Sequence, residues 1–199
     1  MGVGRGAAEI GEINADNLIE DVWIWAANER IIASNYRANR NVWRRVVVRG
    51  DGCAASYCQG SGNPNVGITV YDSQDVLFQN VMVIDRILGG GEPYADFATA
   101  QHTPDPAYYL GRNKWQGCLS IKAPDQAFYF EADDVVAPTR SIRDCAAFGG
   151  GGFNMGGKGI NDDFRNLTIH AVAGDTVRIA PDSSLTGGAL SDVVALGSG

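Results

Sequence analysis

The sequence predicts an all-β fold, a single-stranded right-handed parallel β-helix of about six to seven coils, with residues 1–199 forming one domain. Two patterns predict it: a six-residue motif that recurs along the chain, and an alternating strand signal between its copies. The composition agrees, because 26 glycines in 199 residues favour strands and turns over a bundle of helices.

The recurring motif has six positions. The first, fourth and sixth are apolar, the second and fifth are variable, and the third is Asn, Asp or Arg. Its copies begin at residues 19, 43, 78, 142, 164 and 190, which gives steps of 24, 35, 64, 22 and 26 residues. Self-similarity of this kind predicts stacked coils. The third position predicts a sharp turn, because Asn and Asp tolerate the left-handed backbone conformation. It is occupied by Asp21, Asn80, Asp144, Asn166 and Asp192, with Arg45 as the exception.

Strict alternation of apolar and polar residues supplies a second strand signal between the copies, at 68–71, 128–131, 153–155 and 177–179. Each coil therefore contains three strands. Since side chains alternate between the two faces of a strand, Ile19, Val22 and Ile24 should stack inside on their counterparts in later copies. In this register Trp43 is a large core residue, and Cys145 is a small core residue rather than a catalytic thiol.

The same alternation predicts what each sheet presents to solvent. The second sheet is expected to be an ordinary solvated, charged face. The alternating sheet should present Thr69, Tyr71, Asn154 and Arg178, together with either Tyr129 or Lys122. The third sheet should present an almost wholly apolar row, which usually marks a partner surface, a covering segment or an oligomer contact. That row is Trp23, Val47, Met82, Ala146, Thr168 and Val194, with Trp25, Ile84 and Phe148 beyond it.

Two of the steps are too long for one coil, and both excesses follow the second three-residue strand. They predict long loop insertions at about 49–66 and 85–126, on one face of the stack. The second insertion mixes aromatic and charged residues, which suits a sugar site, although a loop that buries its own aromatics explains the same composition. Residues 118–122 alternate as well, so they form either an extra strand in that loop or a coil of their own.

Charge and cysteine usage narrow the function. The formal net charge of −7 argues against nucleic acid as a partner, because phosphate binding needs a clustered positive face. No segment is expected to span a membrane. The first residues show no secretory signal, which leaves a mature, trimmed or cytoplasmic chain open. Cys53 and Cys58 either close a small disulfide loop, which would imply an oxidising compartment, or remain free thiols.

On these coil patterns, over about residues 17–196, the chain resembles the pectin-lyase-like superfamily of right-handed β-helices. The resemblance implies a carbohydrate groove beside the alternating sheet, walled by the inserted loops. It also implies either a polysaccharide lyase, in which Arg or Lys removes a proton and Ca²⁺ neutralises the uronate, or a glycoside hydrolase with close Asp residues. The superfamily includes non-catalytic proteins too, so enzymatic activity stays open.

No catalytic residue is assigned, because the active-site motifs of polygalacturonases and mannuronan epimerases are absent. Asp162 and Asp163 are expected to form a solvated turn. No metal site or cofactor is expected, apart from Ca²⁺ if the protein is lyase-like. The candidates for substrate binding are outward or loop residues that suit a sugar: Tyr71, Asp85, Arg86, Arg112, Lys114, Trp115, Lys122, Asn154, Lys158 and Arg178.

Two functions follow from these expectations. The first is a secreted or cell-surface β-helix that binds or processes a polysaccharide or oligosaccharide. The alternative is a non-catalytic structural or surface protein that assembles, end to end or as a homo-oligomer, through open coil ends or the apolar third sheet. A convergent acid/base pair in the groove would separate the two, and the sequence does not reveal one.

Overall fold

The computed structural model describes residues 2–4, 15–25, 31–50, 66–86, 95–100, 111–130, 140–155, 159–160, 162–172, 177–179, 185–186 and 189–197. All regular secondary structure in these residues is β-strand. The prediction of an all-β chain is therefore confirmed.

Seven of the strands form one parallel sheet, which contains the alternating segments found in the sequence. In sheet order they are β1 (Gly2–Gly4), β4 (Ile31–Tyr36), β7 (Val66–Tyr71), β10 (Ala95–Ala100), β13 (Gln126–Phe130), β16 (Phe153–Met155) and β19 (Val177–Ile179). Each neighbour in this order comes from the next turn of the chain, so the sheet is built by repetition.

Twelve further strands form a second sheet with two rows. The first row is β2 (Leu18–Glu20), β5 (Val42–Arg44), β8 (Leu77–Gln79), β11 (Asn113–Gln116) and β14 (Arg140–Arg143). The second row is β3 (Trp23–Trp25), β6 (Val47–Arg49), β9 (Met82–Ile84), β12 (Leu119–Ile121) and β15 (Ala146–Gly150). The nine-residue strands β18 (Asp163–Ala171) and β21 (Ala189–Gly197) run through both rows. A small pair, β17 (Gly159–Ile160) and β20 (Leu185–Thr186), stands apart.

The chain order of the strands repeats as seven-stranded sheet, first row, second row. All the pairings between these strands are parallel, as in β5 with β8 and β6 with β9. Parallel strands cannot be joined by tight hairpins, so the chain must make a longer crossover connection before it returns to the same sheet. The arrangement is consistent with a solenoid of the parallel β-helix kind.

The strand register confirms the motif and adds one copy to the six found in the sequence. Phe78, Ile142 and Phe164 are aligned in the first row, and Trp115 lies between the first two. A further copy therefore begins at 115 and divides the step of 64 residues into 37 and 27. Strands β10, β11 and β12 all fall within 85–126, so this segment is a coil and not one inserted loop. The alternating residues 118–122 belong to that coil. In the segment 49–66, residues 51–65 lie outside the described part of the chain.

The predicted turn between the two rows is confirmed at every copy. The backbone φ angle lies between 52° and 56° at Asp21, Asn80, Asp144, Asn166 and Asp192, and Arg45 adopts 52° as well. The missed coil has Gly117 at this position, with a φ of 64°. Glycine adopts positive φ without strain, so it replaces Asn or Asp there.

Side chains at these turns connect neighbouring coils. Arg45 donates to both carboxylate oxygens of Asp21 at 2.7 and 2.8 Å, and the Asn166 amide donates to Asp144 at 2.7 Å. The hydrogen bond from Arg45 holds the pKa of Asp21 below its usual range. Arg45, the one arginine at this turn position, thus supplies the opposite charge to Asp21 in the preceding coil.

Aromatic and aliphatic side chains fill the space between the sheets. Trp43, Phe78 and Trp115 stack in the first row, with ring centroids 6.2 and 5.8 Å apart. Phe97, Phe128 and Phe153 stack on the opposite side at 4.6 and 4.3 Å. All six are at most 1% exposed. Burial of such rings contributes most of the hydrophobic stabilisation, and the predicted core positions of Trp43 and Cys145 are confirmed.

Candidate functional site

The predicted row on the seven-stranded sheet exists, but it is buried at Thr69 and Asn154. Thr69, Tyr129, Asn154 and Arg178 are aligned, with Ala98 between the first two. Thr69 is 2% exposed and Asn154 is 9% exposed, whereas Tyr129 and Tyr71 are partly exposed, so no open groove exists at Thr69 and Asn154. The structure describes the backbone of Arg178 and not its side chain.

Tyr71 ends strand β7 and packs against Tyr36, with ring centroids 5.5 Å apart. Lys122 does not lie beside it, because Lys122 follows β12 in the second row. There Lys122 and Asp85 occupy successive turns, with φ angles of 59° and 52°. Arg49 lies 3.7 Å from the Asp85 carboxylate. Tyr71 and Lys122 therefore belong to different edges of the fold.

Two of the candidates are core residues, and their expected place in a binding loop is wrong. Trp115 is 1% exposed and packs between Phe78 and Phe130. The Arg86 side chain is fully buried and donates to Asp96 at 2.8 Å. Ser120 donates to the same carboxylate at 2.6 Å. Burial raises the pKa of Asp96, although Arg86 and Ser120 oppose the shift.

The positions of three predicted residues are not described. Lys158 and the proposed disulfide partners Cys53 and Cys58 lie outside the described residues. The disulfide, the loop that carries it and the role of Lys158 therefore stay predictions.

Lys114 lies in a hollow on the outer face of the first row. The hollow measures about 420 Å³ and is lined by residues of four successive strands: Leu77, Lys114, Trp115, Gln116, Arg140, Ser141, Arg143 and Asp163. Its members line up because Leu77, Lys114, Ser141 and Asp163 occupy the same position in β8, β11, β14 and β18. Arg112, two residues before Lys114, is exposed and donates to Asp75 at 2.7 Å.

The charges in the hollow are unequal. Arg143 and Arg165 both donate to the Asp163 carboxylate. Partial burial alone would raise the pKa of Asp163, but these two hydrogen bonds outweigh it and hold the pKa below its usual range. The Lys114 ammonium makes no hydrogen bond or ion pair with the described residues. The negative charge of Asp163 is thus balanced by the two arginines. The Lys114 ammonium gives the hollow a positive charge.

The floor of the hollow is held by a buried ion pair. Arg140 donates from its backbone amide to one oxygen of Asp162 at 2.7 Å, and from its guanidinium to the other at 2.6 Å. Both side chains are 1% exposed. The expectation that Asp162 and Asp163 form a solvated turn is therefore wrong for Asp162. Asp162 is buried whereas Asp163 lines the hollow, so the two carboxylates do not act together.

The apolar row on the second row of strands is confirmed, and we call it the apolar strip. Its most exposed members are Trp23 at 64%, Trp25 at 63%, Leu196 at 58% and Val194 at 56%. Register aligns its members on six of the seven strands, including two from the missed coil, and at the same positions of β18 it places Thr168, which was part of the predicted row, and His170. The strip is Trp23, Trp25, Val47, Met82, Ile84, Leu119, Ile121, Ala146, Phe148, Val194 and Leu196.

Within the described ranges, no group of three or more His, Cys, Asp or Glu side chains is arranged to hold a metal ion. The same part of the chain includes no helix long and apolar enough to cross a membrane.

Sequence reasoning assigned the hollow to an ordinary charged face and so missed Gln116, Ser141 and Arg143. The sequence did contain a signal for them. Once the coil that begins at 115 is recognised, all three fall at outward positions of the first row. Comparison of the chain with protein-family models, with curated proteins and with solved structures found no match in any of the three.

Proposed function

We propose that this chain is a right-handed parallel β-helix of the pectin-lyase-like kind that acts outside the cytoplasm and binds an acidic polysaccharide. The observation that carries the proposal is the hollow with the unpaired Lys114 ammonium at its rim, on a chain whose net charge is −7. A local cationic site on an acidic protein selects an anionic ligand and steers it to one place. The volume of the hollow falls within the roughly 300–1,000 Å³ that is typical of small-ligand sites.

The polar lining suits a sugar acid. Gln116 and Ser141 offer hydrogen bonds to hydroxyl groups, and Lys114 and Arg143 offer charged donors to a uronate carboxylate. The first row repeats along the stack at about 4.8 Å per strand. An extended chain lying across the strands therefore meets equivalent positions in turn, with Gln79 before the hollow and Arg165 after it.

Binding, rather than cleavage, is what the described residues support. A general acid must hold a proton near the working pH. Asp163, the carboxylate in the hollow, has its pKa lowered by Arg143 and Arg165 and stays ionised. Asp162 points into the core. A hydrolytic acid/base pair is therefore not assembled at the hollow.

Replacing Lys114 and Arg143 together by glutamine should weaken binding of polygalacturonate by about tenfold or more. Charge-assisted hydrogen bonds contribute about 1.5–3 kcal/mol each, and about 1.4 kcal/mol corresponds to tenfold in affinity. Isothermal titration of the folded chain measures the change. Raising the ionic strength should weaken the wild-type interaction as well, since the site is exposed.

Lys122→Gln is the matched control, because Lys122 is also an exposed lysine without an ion pair among described residues but lies at another edge. Its affinity for polygalacturonate should equal that of the wild type, and a neutral galactan should not bind either protein. Equal binding by the double variant, or equal binding of the neutral polymer, would refute an acidic-sugar site at the hollow.

The apolar strip favours a second function, self-association of two copies. Seven strands give it a length of about 29 Å at the usual strand spacing. Its ends carry the large exposed residues, Trp23 and Trp25 at one end and Val194 and Leu196 at the other. A two-fold axis at its centre would place the tryptophans of each copy on the aliphatic end of the other. Two such flat faces can pack about 10 Å apart.

Light scattering over a concentration series tests this assembly. The wild type should be a dimer, and Trp23→Ser with Trp25→Ser should shift it to monomer, because each tryptophan buries up to about 150–250 Å². The control is Leu190→Ser, which changes an apolar residue that is 44% exposed but lies in the first row, off the strip. A wild type that stays monomeric at every concentration would rule the dimer out.

A further inference from the structure

Cys118 and Cys145 occupy the same position in successive coils. Each follows the left-handed turn residue of its coil, Gly117 in one and Asp144 in the other. Strand register continues directly from them, since Leu119 is paired with Ala146. Both cysteines are 1% exposed, and both are free thiols.

The two side chains lie within reach of one another. The Cys145 sulfur lies 3.3 Å from the backbone nitrogen of Cys118. Neighbouring strands are about 4.7–4.9 Å apart, and disulfides join Cα atoms about 4.4–6.8 Å apart. The Cys118 sulfur points toward Phe78 O at 3.5 Å, so a rotation about its Cα–Cβ bond turns it to Cys145. Gly117 gives the adjoining backbone freedom to adjust.

We propose that Cys118 and Cys145 form a disulfide that joins two successive coils inside the core, with a low-molecular-weight disulfide such as oxidised glutathione as the oxidant. One cysteine thiolate attacks the oxidant, which releases one glutathione and leaves a mixed disulfide. The second cysteine thiolate attacks the protein sulfur of that bond, and the second glutathione leaves. Two thiols are oxidised, one disulfide is reduced, and the two protons pass to the released glutathione thiolates.

The fold determines when the bond can form. Burial raises the pKa of the Cys118 thiol, and the closed core keeps oxidant away. The thiolate is the reactive form, so exchange takes place while the coils at 118 and 145 are still open to solvent. Once the coils close, the bond is shielded from reductants by the same burial. The disulfide joins residues that are 27 positions apart, and so restricts the unfolded chain.

Refolding of the full chain from urea in a reduced and oxidised glutathione buffer tests the proposal. After blocking of free thiols and digestion with trypsin, peptide 115–122 should be recovered linked to peptide 144–158. The other two cysteines lie together on peptide 50–86, so they do not obscure the result. Recovery of 115–122 and 144–158 as separate blocked peptides from the folded chain would overturn the proposal.

Stability supplies a second readout. The urea midpoint of the refolded wild type should fall when a reductant is present throughout the titration. The reductant should change the midpoint of the Cys145→Ala variant by less than it changes that of the wild type. A linked wild type whose midpoint stays constant under reduction would show that the bond does not stabilise the stack, and would overturn its role as a connection between coils.

Discussion

A chain with alanine in place of Gly151 is expected to lose at least about 3 kcal/mol of its free energy of unfolding, or to fail to fold. A Cβ atom at 151 would overlap the backbone oxygen of Asp125 and its carbonyl carbon. Both atoms belong to the backbone of the preceding coil, so no side-chain rotation can relieve the overlap. The coils would have to separate where β13 and β16 pair.

Gly111→Ala is the matched control, because nothing lies within 4 Å of the Cβ position there. Its stability should stay within about 0.5 kcal/mol of the wild type, or rise by about 0.4–1 kcal/mol through reduced freedom of the unfolded chain. Urea unfolding followed by tryptophan fluorescence measures both variants. If Gly151→Ala unfolded at the wild-type urea concentration, close approach of the coils at this point would be disproved.

The four-glycine run at 149–152 shows what sequence could and could not supply. A run of four glycines predicts a tight turn of small residues, and Gly149 does adopt a φ of 71°. Such a run also fits a site where a ligand approaches the backbone. At Gly150 and Gly151 the approaching atoms are instead those of Ala123 and Asp125 in the neighbouring coil. Glycine spacing signals a close approach but does not identify the approaching group.

The repeat itself was predictable because its period is carried by buried apolar residues. The turns at Asn80 and Asn166 were predictable for a different reason, since only a few residue types tolerate positive φ. The coil that begins at 115 was missed because glycine replaces Asn or Asp at its turn. With that coil unrecognised, Trp115 and Arg86 were assigned to a surface loop, and the hollow beside Lys114 had no neighbouring strand to form it.

Buried polar groups were the other source of error. Charged residues are almost never fully buried unless they are paired, and the partner of each is distant in sequence. Arg140 meets Asp162 one coil later. Arg86 meets Asp96, which lies 10 residues further along the chain. Single-sequence patterns reveal the face on which a residue lies, but they do not reveal that two charges face each other inside a corner of the stack.

Asp162→Asn is expected to cost about 3–5 kcal/mol of unfolding free energy. The change keeps the size of the side chain but removes the charge opposite Arg140, whose guanidinium is 1% exposed. A buried charge left without its partner has this cost. Asp163→Asn makes the same chemical change at the adjacent residue. The partners of Asp163, Arg143 and Arg165, are about half exposed. Surface ion pairs contribute about 0–1 kcal/mol, so Asp163→Asn should be nearly neutral.

A second substitution separates the charge from the packing. Arg140→Met in the Asp162→Leu background replaces the buried ion pair by apolar side chains, and such replacements are often neutral or stabilising. The Arg140 guanidinium already lies 5.5 Å from the Phe130 ring, so the site has an apolar wall for the new side chains. The double variant should therefore unfold at a higher urea concentration than Asp162→Asn. If it were equally destabilised, the unpaired Arg140 guanidinium would not be the main cause of the loss in Asp162→Asn.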